Sequence, residues 1–361
     1  MSTLFSPLKI RNLIVKNRVV MPPMVCFGFG DDDGLVTDEH VAHYEARAKG
    51  GVGLIIVEAT CVSRTGRLSP DQLGLWSDEQ VAGFGRLAEA CHRHGAKILV
   101  QIHHGGLNSH PDVVSEFVAP SNYHGKVRGR VVSARALTVP EIHGIQREFV
   151  AAALRAKEAG LDGVELHGAH GFIISQFFST LVNERVDSYG GSVSNRVRLA
   201  AEIINEIRRE AGNNFIIGCR MGCNEPDLET SIKIAGELER SGIDLLHVSS
   251  GFAMDKGLAV PEGFDYRWIC YGGTQIKKNV GVPVIVVNGL RTPEKAAYLL
   301  EHDLADLTAI GMGLLVDPQW ANKAQRNEPV VACINCKTCK LLGPEKSCVQ
   351  WKRTKQSLAR R

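Results

Sequence analysis

No apolar run in this sequence approaches the ~20 residues that a membrane-spanning helix requires, so no helical anchor is expected. The opening residues Met1-Ser2-Thr3-Leu4-Phe5 lack the charged and apolar regions of a secretory leader, and a soluble, cytoplasmic protein is expected. Aromatic residues are few, 6%, and the formal net charge is only +3. With no basic stripe interleaved with aromatics, direct nucleic-acid binding is not expected either. No internal repeat or low-complexity tract interrupts the chain. The glycine-rich turn after the first strand of a dinucleotide-binding open sheet is missing too: Val19-Val20-Met21 runs into Pro22-Pro23-Met24.

What is present suffices for a full core: 361 residues, 44% hydrophobic and 22% charged. Short apolar runs at 19–21, 54–57, 98–100, 163–166, 215–218, 245–248, 284–287 and 307–310 alternate with longer segments. Helical period marks 78–94, 146–159, 195–211, 228–241 and 293–302. Near-continuous apolar strands suit a parallel sheet buried on both faces. Eight of them in strand–helix order predict a (β/α)8 TIM barrel over residues 1–326, followed by a C-terminal extension at 327–361. The connections 105–139 and 251–271 are too long for simple turns, and the first contains Ala119-Pro120-Ser121. Both are expected to cover the barrel mouth, carrying function or small structure of their own.

Active sites in such barrels collect at the C-terminal ends of the strands. Here those ends carry Pro23 and Met24, Ala59 and Thr60, Gln101 with His103 and His104, and His167 with His170. Arg220, Ser249-Ser250-Gly251, Asn288-Gly289 and Gly311-Met312-Gly313 follow. A purely structural barrel has no need of His, Gln and Arg at these places. Gly289, Gly311 and Gly313 let backbone N–H groups approach an anion, as at the usual barrel phosphate site, although glycine is equally ordinary in loops. Gln101 both donates and accepts hydrogen bonds, matching the imide edge of a planar heterocycle. Arg220 at ~4 Å from the reduced form of such a ring, at an effective dielectric of about 20, would stabilise its negative charge by ~4 kcal/mol. The plainer alternative is a structural arginine paired with a carboxylate. His167 and His170 have three readings: a metal pair, a packed structural pair, or two neutral donors that polarise a carbonyl. No carboxylate or cysteine completes a regular metal set at these ends.

At these residues the chain resembles the old yellow enzyme family of FMN oxidoreductases, over about residues 3–326. The likeness is carried by Leu4-Phe5-Ser6-Pro7-Leu8-Lys9-Ile10 through Asn17-Arg18-Val19, by Glu58-Ala59-Thr60 and by Gln101-Ile102-His103-His104-Gly105-Gly106. Its longest stretch is His167-Gly168-Ala169-His170-Gly171-Phe172, continued by Asn183-Glu184-Arg185-Val186-Asp187-Ser188-Tyr189-Gly190-Gly191-Ser192. The resemblance implies FMN held by Pro23, Met24, Ala59, Gln101, Arg220, Asn288, Gly289 and Gly311. It also implies that His167 and His170 bind the electron-withdrawing group of the substrate, with hydride passing to the β-carbon of an activated alkene or in reverse. NAD(P)H is the implied direct or indirect electron donor. Two positions depart from the family. Phe172 stands where relatives carry a tyrosine that protonates the α-carbon, which leaves Asp255, Tyr266, Tyr123 or water as candidate donors. Met312 stands where many relatives carry an arginine near the FMN phosphate.

Of ten cysteines, Cys26, Cys61, Cys91, Cys219, Cys223 and Cys270 are scattered, as buried small hydrophobes are. Cys333, Cys336, Cys339 and Cys348 crowd together as C-x2-C-x2-C-x8-C. Close C-x2-C-x2-C spacing lets three thiolates converge on one [4Fe–4S] cluster, with the fourth closing it; structural zinc more often uses two separated C-x2-C pairs. A comparable cluster follows the barrel in the iron–sulfur subgroup typified by 2,4-dienoyl-CoA reductase and trimethylamine dehydrogenase. The sequence ends soon afterwards, which leads to the expectation of a separate redox partner, a ferredoxin or a flavoprotein subunit. The basic tail, Lys352, Arg353, Lys355, Arg360 and Arg361, is either its dock or merely solvated. Homo-oligomerisation is compatible with all this. The expected activity is FMN- and cluster-dependent reduction of an activated C=C bond, or the reverse. The alternatives are oxidative demethylation or amine dehydrogenation, and, from another class, an electron-transfer or scaffold subunit with a zinc-stapled tail.

Overall fold

The computed structural model describes residues 3–336, 339 and 348–350. Eight strands form a closed barrel. They are β1 (Val19–Met21), β2 (Leu54–Cys61), β3 (Lys97–His103), β4 (Gly163–Gly168), β5 (Ile216–Gly222), β6 (Leu245–Ser249), β7 (Val284–Val287) and β8 (Leu307–Ala309). Every neighbouring pair is parallel, and β8 returns to pair with β1. This is the TIM barrel expected from the sequence. Side chains alternate across a strand. Val20, Leu54, Ile56, Leu99, Ile216, Leu245, Ile285 and Leu307 therefore fill the barrel interior as one cluster. Their neighbours Val19, Met21, Ile55, Ile98, Val164 and Leu246 join the larger cluster under the helices. Burial on both faces is why these strands read as unbroken apolar runs.

The lower end of the interior is shut. A hairpin of Leu8–Ile10 and Leu13–Val15 precedes β1, and its Ile10 and Val15 are buried in the inner cluster. The buried carboxylate of Asp244 accepts from Arg11, from Arg208 and from the Ile217 amide, tying hairpin, outer helix and β5 together.

The helical periods correspond to helices with shifted ends. Helix Val139–Glu158 starts before 146, at a capping box in which Thr138 accepts from the Glu141 amide. The period at 78–94 resolves into a 3-10 turn, Asp78–Gln80, and helix Val81–His92. Helices Asp38–Lys49, Ile173–Phe178, Trp268–Lys277, Met312–Val316 and Trp320–Gln325 were not legible as periods. Ile173–Phe178 is buried at every position, so it has no amphipathic stripe to detect. Because Trp268–Lys277 begins inside it, the connection 251–271 is shorter than expected.

The connection 105–139 does carry structure of its own. Strand Tyr123–Val127 pairs antiparallel with Arg130–Ala136, and Phe117–Ala119 adds in parallel on the other edge. Val127 and Val132 of this small sheet form a cluster with Leu107 and Val182, against which Phe252 of the second long connection rests. The two connections thus meet over the strand ends. Past β8, Trp320, Ala321 and Ala324 are buried, and the Val331 amide donates to Asp317 at 2.9 Å. The extension is therefore anchored as far as Val331, beyond the boundary expected at 326. The basic residues of the tail, Lys352, Arg353, Lys355, Arg360 and Arg361, lie outside the described residues. Among the described residues no helix is long and apolar enough to cross a membrane.

Candidate active site

Above the apolar plug the inward positions of the same strands turn polar. In β3 the inward residues after Leu99 are Gln101 and His103; in β4 they are Glu165 and His167; in β5, Arg220; in β6, His247 and Ser249. Alternation alone thus stacks them on one interior surface. Gln101 Nε2 donates to Glu165 Oε1 at 2.7 Å, and His247 Nδ1 lies 2.9 Å from Glu165 Oε2. Gln101, Glu165 and His247 are all buried. Among the described residues Arg220 makes no ion pair with a carboxylate. Its Nη2 donates to Ser249 Oγ at 3.3 Å, and its buried Nε has no partner. Burial brings the guanidinium down to about 10 while the nearby Glu165 charge acts the other way. The pairing alternative read from the sequence is therefore not what the side chain does.

His167 Nε2 is 2.7 Å from His170 Nδ1, and His170 Nε2 is 2.7 Å from Ser249 Oγ. A chain of hydrogen bonds runs from His167 through His170 and Ser249 to Arg220. Burial, reinforced by neighbouring cations, holds both imidazoles well below their ordinary pKa, so both are neutral and each keeps one N–H. His170 sits at φ +58 and Gly171 at φ +73, two successive left-handed residues. Strain of this kind in a non-glycine residue is characteristic of functional sites. The His170 amide donates to Ser250 O at 3.0 Å, which fixes the turn against β6.

His103 and His104 serve the walls. His103 Nε2 lies 2.7 Å from Gln72 Nε2, which also donates to the Ala59 carbonyl; His104 Nδ1 accepts from the Gly106 amide. Burial lowers them to about 3 and about 4. Phe172 is buried, its ring centre 4.4 Å from that of His167. Of the substitute proton donors considered, Asp255 alone shares the cavity beside His170. Tyr266 lines a different cleft and donates to Lys295 O, and Tyr123 packs edge-on to Phe252, so neither is placed to serve.

That second cleft, about 450 Å³, is lined by Asn288, Gly289, Arg267, Arg291, Thr292 and Lys295. Asn288 and Gly289 have φ of +93 and +83, and Thr292 caps helix Pro293–Glu301. The cations Arg267, Arg291 and Lys295 are not at strand ends, so the sequence reading missed them; their signal was proximity to Asn288-Gly289 and to a capped helix start. Gly311, heading helix Met312–Val316, faces Met24: a Cβ there would sit 3.4 Å from the Met24 sulfur.

The profile of the NADH:flavin oxidoreductase / NADH oxidase family matches residues 3–330. The chain belongs to this family. It is 42% identical over 344 residues to an NADH oxidase of Thermoanaerobacter brockii, covering 92% of this chain and 52% of that protein. It thus spans about half the length of that relative. Its fold superposes on a 2-naphthoyl-CoA reductase complex with TM-score 0.85 at 26% identity, covering 93% of this chain and 54% of the other. A histamine dehydrogenase from Rhizobium sp. 4-9 gives TM-score 0.81 at 28% identity, covering 92% and 49%. As a family member the chain is a flavin-dependent oxidoreductase.

The residues present fit the flavin. Arg220 Nε and His167 Nδ1 are buried polar atoms without partners at the strand ends. Asn288, Gly289 and the basic cleft offer amides and cations to a phosphate. The expected FMN residues therefore fall in three neighbouring groups: Gln101 with Arg220, Asn288 with Gly289, and Met24 with Gly311. Pro23 and Met312 adjoin the last of these in sequence, and Ala59 is held by Gln72.

For the cysteines the outcome differs. The six scattered ones are buried, as expected. Cys333 and Cys348 are half-buried, Cys336 and Cys339 exposed, and all four are free thiols. The Asn335 amide donates to Cys333 Sγ, and Gln350 Nε2 donates to Ala332 O, which brings the segment after Cys348 back beside Cys333. Among the described residues, however, no group of three or more His, Cys, Asp or Glu is gathered to hold a metal ion, at the cysteines or at the histidines.

Proposed function

We propose that this chain reduces an activated C=C bond, using FMN held by Pro23, Met24, Ala59, Gln101, Arg220, Asn288, Gly289 and Gly311, with Met312 beside the phosphate. The observation that carries the reading is the line His167–His170–Ser249–Arg220, which joins two neutral imidazoles to a half-buried cation. Bound FMN would supply the hydride. His167 and His170, as neutral N–H donors, orient the substrate carbonyl and stabilise charge growing on its oxygen. Arg220 places positive charge where the reduced ring carries negative charge, and Glu165 keeps that guanidinium protonated. Gln101, its amide nitrogen already given to Glu165, keeps a carbonyl oxygen that would accept from a ring N–H of the flavin. In place of the basic residue usual at 312, Arg267, Arg291 and Lys295 would meet the phosphate.

Amine dehydrogenation is the second reading, favoured by Phe172: with no acid at that position, a reaction needing no proton at carbon suits the site better. One structural neighbour is named a CoA-thioester reductase and another an amine dehydrogenase, so the fold accommodates both.

We further propose that Cys333, Cys336, Cys339 and Cys348 bind a [4Fe–4S] cluster. The thiol chemistry and the spacing support this, as does the anchoring of Val331 on Asp317, just past the helix that follows Gly311. Through it a ferredoxin or flavoprotein subunit would exchange electrons. Anaerobic purification with assay of flavin, iron, acid-labile sulfide and zinc tests all of this. Absence of flavin overturns the enzyme assignment; flavin with zinc in place of iron overturns only the cluster; full turnover with NAD(P)H alone removes the need for a partner.

A further inference from the structure

Beside His170 a cavity of about 480 Å³ opens between the small sheet and the 251–267 connection. Its wall includes Lys126, Arg128 and Lys256, and Asp255 is the one carboxylate in that wall. None of the three cations makes a salt bridge among the described residues. The best defined is Arg128. With Gly129 it forms the two-residue turn of the hairpin Tyr123–Val127 and Arg130–Ala136, with φ of +49 and +81. Such a turn suits the twist of a hairpin, but a glycine, asparagine or aspartate is the ordinary occupant of its first position. An arginine there costs backbone strain, and nothing in the turn uses its charge.

What the side chain does is reach into the cavity. Its Cζ stands 5.0 Å from the centre of the Phe172 ring, and Nη2 donates to the His170 carbonyl at 3.2 Å. Nε and Nη1 take no partner among the described residues. Arg128 thus bridges the two residues of the His167–Phe172 stretch nearest the chemistry and keeps donors free beyond them. The backbone of Lys256, in the same cavity wall, is held in place. Asn224 Nδ2 donates to the carbonyls of Ala253 and Lys256, each at 2.8 Å, and Asn224 Oδ1 accepts from the Gly251 amide. Two elements thus bring like charges to the wall of one cavity beside neutral imidazoles. Like charges so arranged repel unless an anion lies between them.

We propose that this cavity binds the anionic tail, carboxylate or phosphate, of the molecule whose reducible end lies at His167 and His170. The proposal rests on the functional reading above and adds the substrate class to it: Arg128 and Lys256 select an acidic substrate, and Phe172 is the apolar floor that supports the Arg128 guanidinium.

The test is isothermal titration calorimetry of the purified protein with cinnamaldehyde and with 4-carboxycinnamaldehyde. The acid is expected to bind on the order of tenfold more tightly, the effect of one charge-assisted hydrogen bond, and the preference should shrink with added salt. Arg128→Asn keeps a residue suited to positive φ while removing the charge, and should abolish the preference; Lys256→Glu should reverse it. Whichever of inorganic pyrophosphate and acetate displaces the acid better identifies the tail as phosphate or carboxylate. Equal affinity of the two aldehydes, a preference untouched by both substitutions, or binding of neither, overturns the proposal. A preparation that contains no flavin but keeps the Arg128-dependent preference overturns the functional reading alone.

Discussion

Phe172 has its ring centre 4.4 Å from that of His167 and the Arg128 guanidinium 5.0 Å from its centre, so it stands next to hydrogen-bond donors. Phe172→Tyr is expected to raise turnover of an activated alkene by on the order of a hundredfold, the usual contribution of a positioned general acid. Unchanged turnover at full flavin content would show that a missing acid is not what limits the reaction, and would favour amine oxidation. At this scale the sequence was informative where residue type and strand position coincide. Gln101, His167 and Arg220 were all visible because period-two alternation carries them inward above an apolar layer. Glu165 and His247 obey the same alternation and lie in register with Gln101 and Arg220 on the neighbouring strands, but only their hydrogen bonds reveal their use. Arg267, Arg291 and Lys295 reach their cleft from a connection and a helix start, and no periodicity predicts that.

Helices, by contrast, were legible only when one face was exposed. Helix Ile173–Phe178 is buried throughout and Asp38–Lys49 is polar over most of its length, so neither shows a stripe. The mouth of the barrel depends on contacts that sequence does not display. Asn224, at the end of β5, makes three hydrogen bonds to the backbone of Gly251, Ala253 and Lys256. Asn224→Ala leaves these groups without a protein partner and is expected to lower stability by about 1–3 kcal/mol in urea denaturation. The same variant should be nicked faster within 251–267 by a trace of protease, since local opening governs such cleavage. Equal nicking of variant and parent would mean that the cluster of Val127, Val132 and Phe252 holds the connection by itself.

Across the whole molecule, buried ionisable groups set the dependence of stability on pH. His43, His103, His104, His167, His170 and His247 are all held below their ordinary pKa, chiefly by burial. Below pH ~6.5 they bind protons when unfolded but not when folded, so stability falls as pH falls through that value. Glu58, Glu148 and Glu225 are raised to about 7 by burial and act the other way. The folded state keeps their protons between the ordinary carboxylate range and about 7, so stability falls as pH rises through that window. Six imidazoles outweigh three carboxyls. Tm is therefore expected to peak near pH 6.5 and to drop steeply towards pH 5, at ~1.4 kcal/mol per pH unit for each excess proton. A scan showing greatest stability at pH 5 would contradict this. Glu58→Gln should flatten the decline above pH 6.5 and move the maximum to higher pH.

The inner core, closed below by Ile10 and Val15 of the hairpin, makes the barrel a cul-de-sac rather than a passage. Any molecule bringing electrons to the strand ends must use the same doorway as the molecule that receives them, and must leave before the other enters. Delivery through the wall, from the anchored extension beside Asp317, would do away with that queue, because the doorway would then serve the substrate alone.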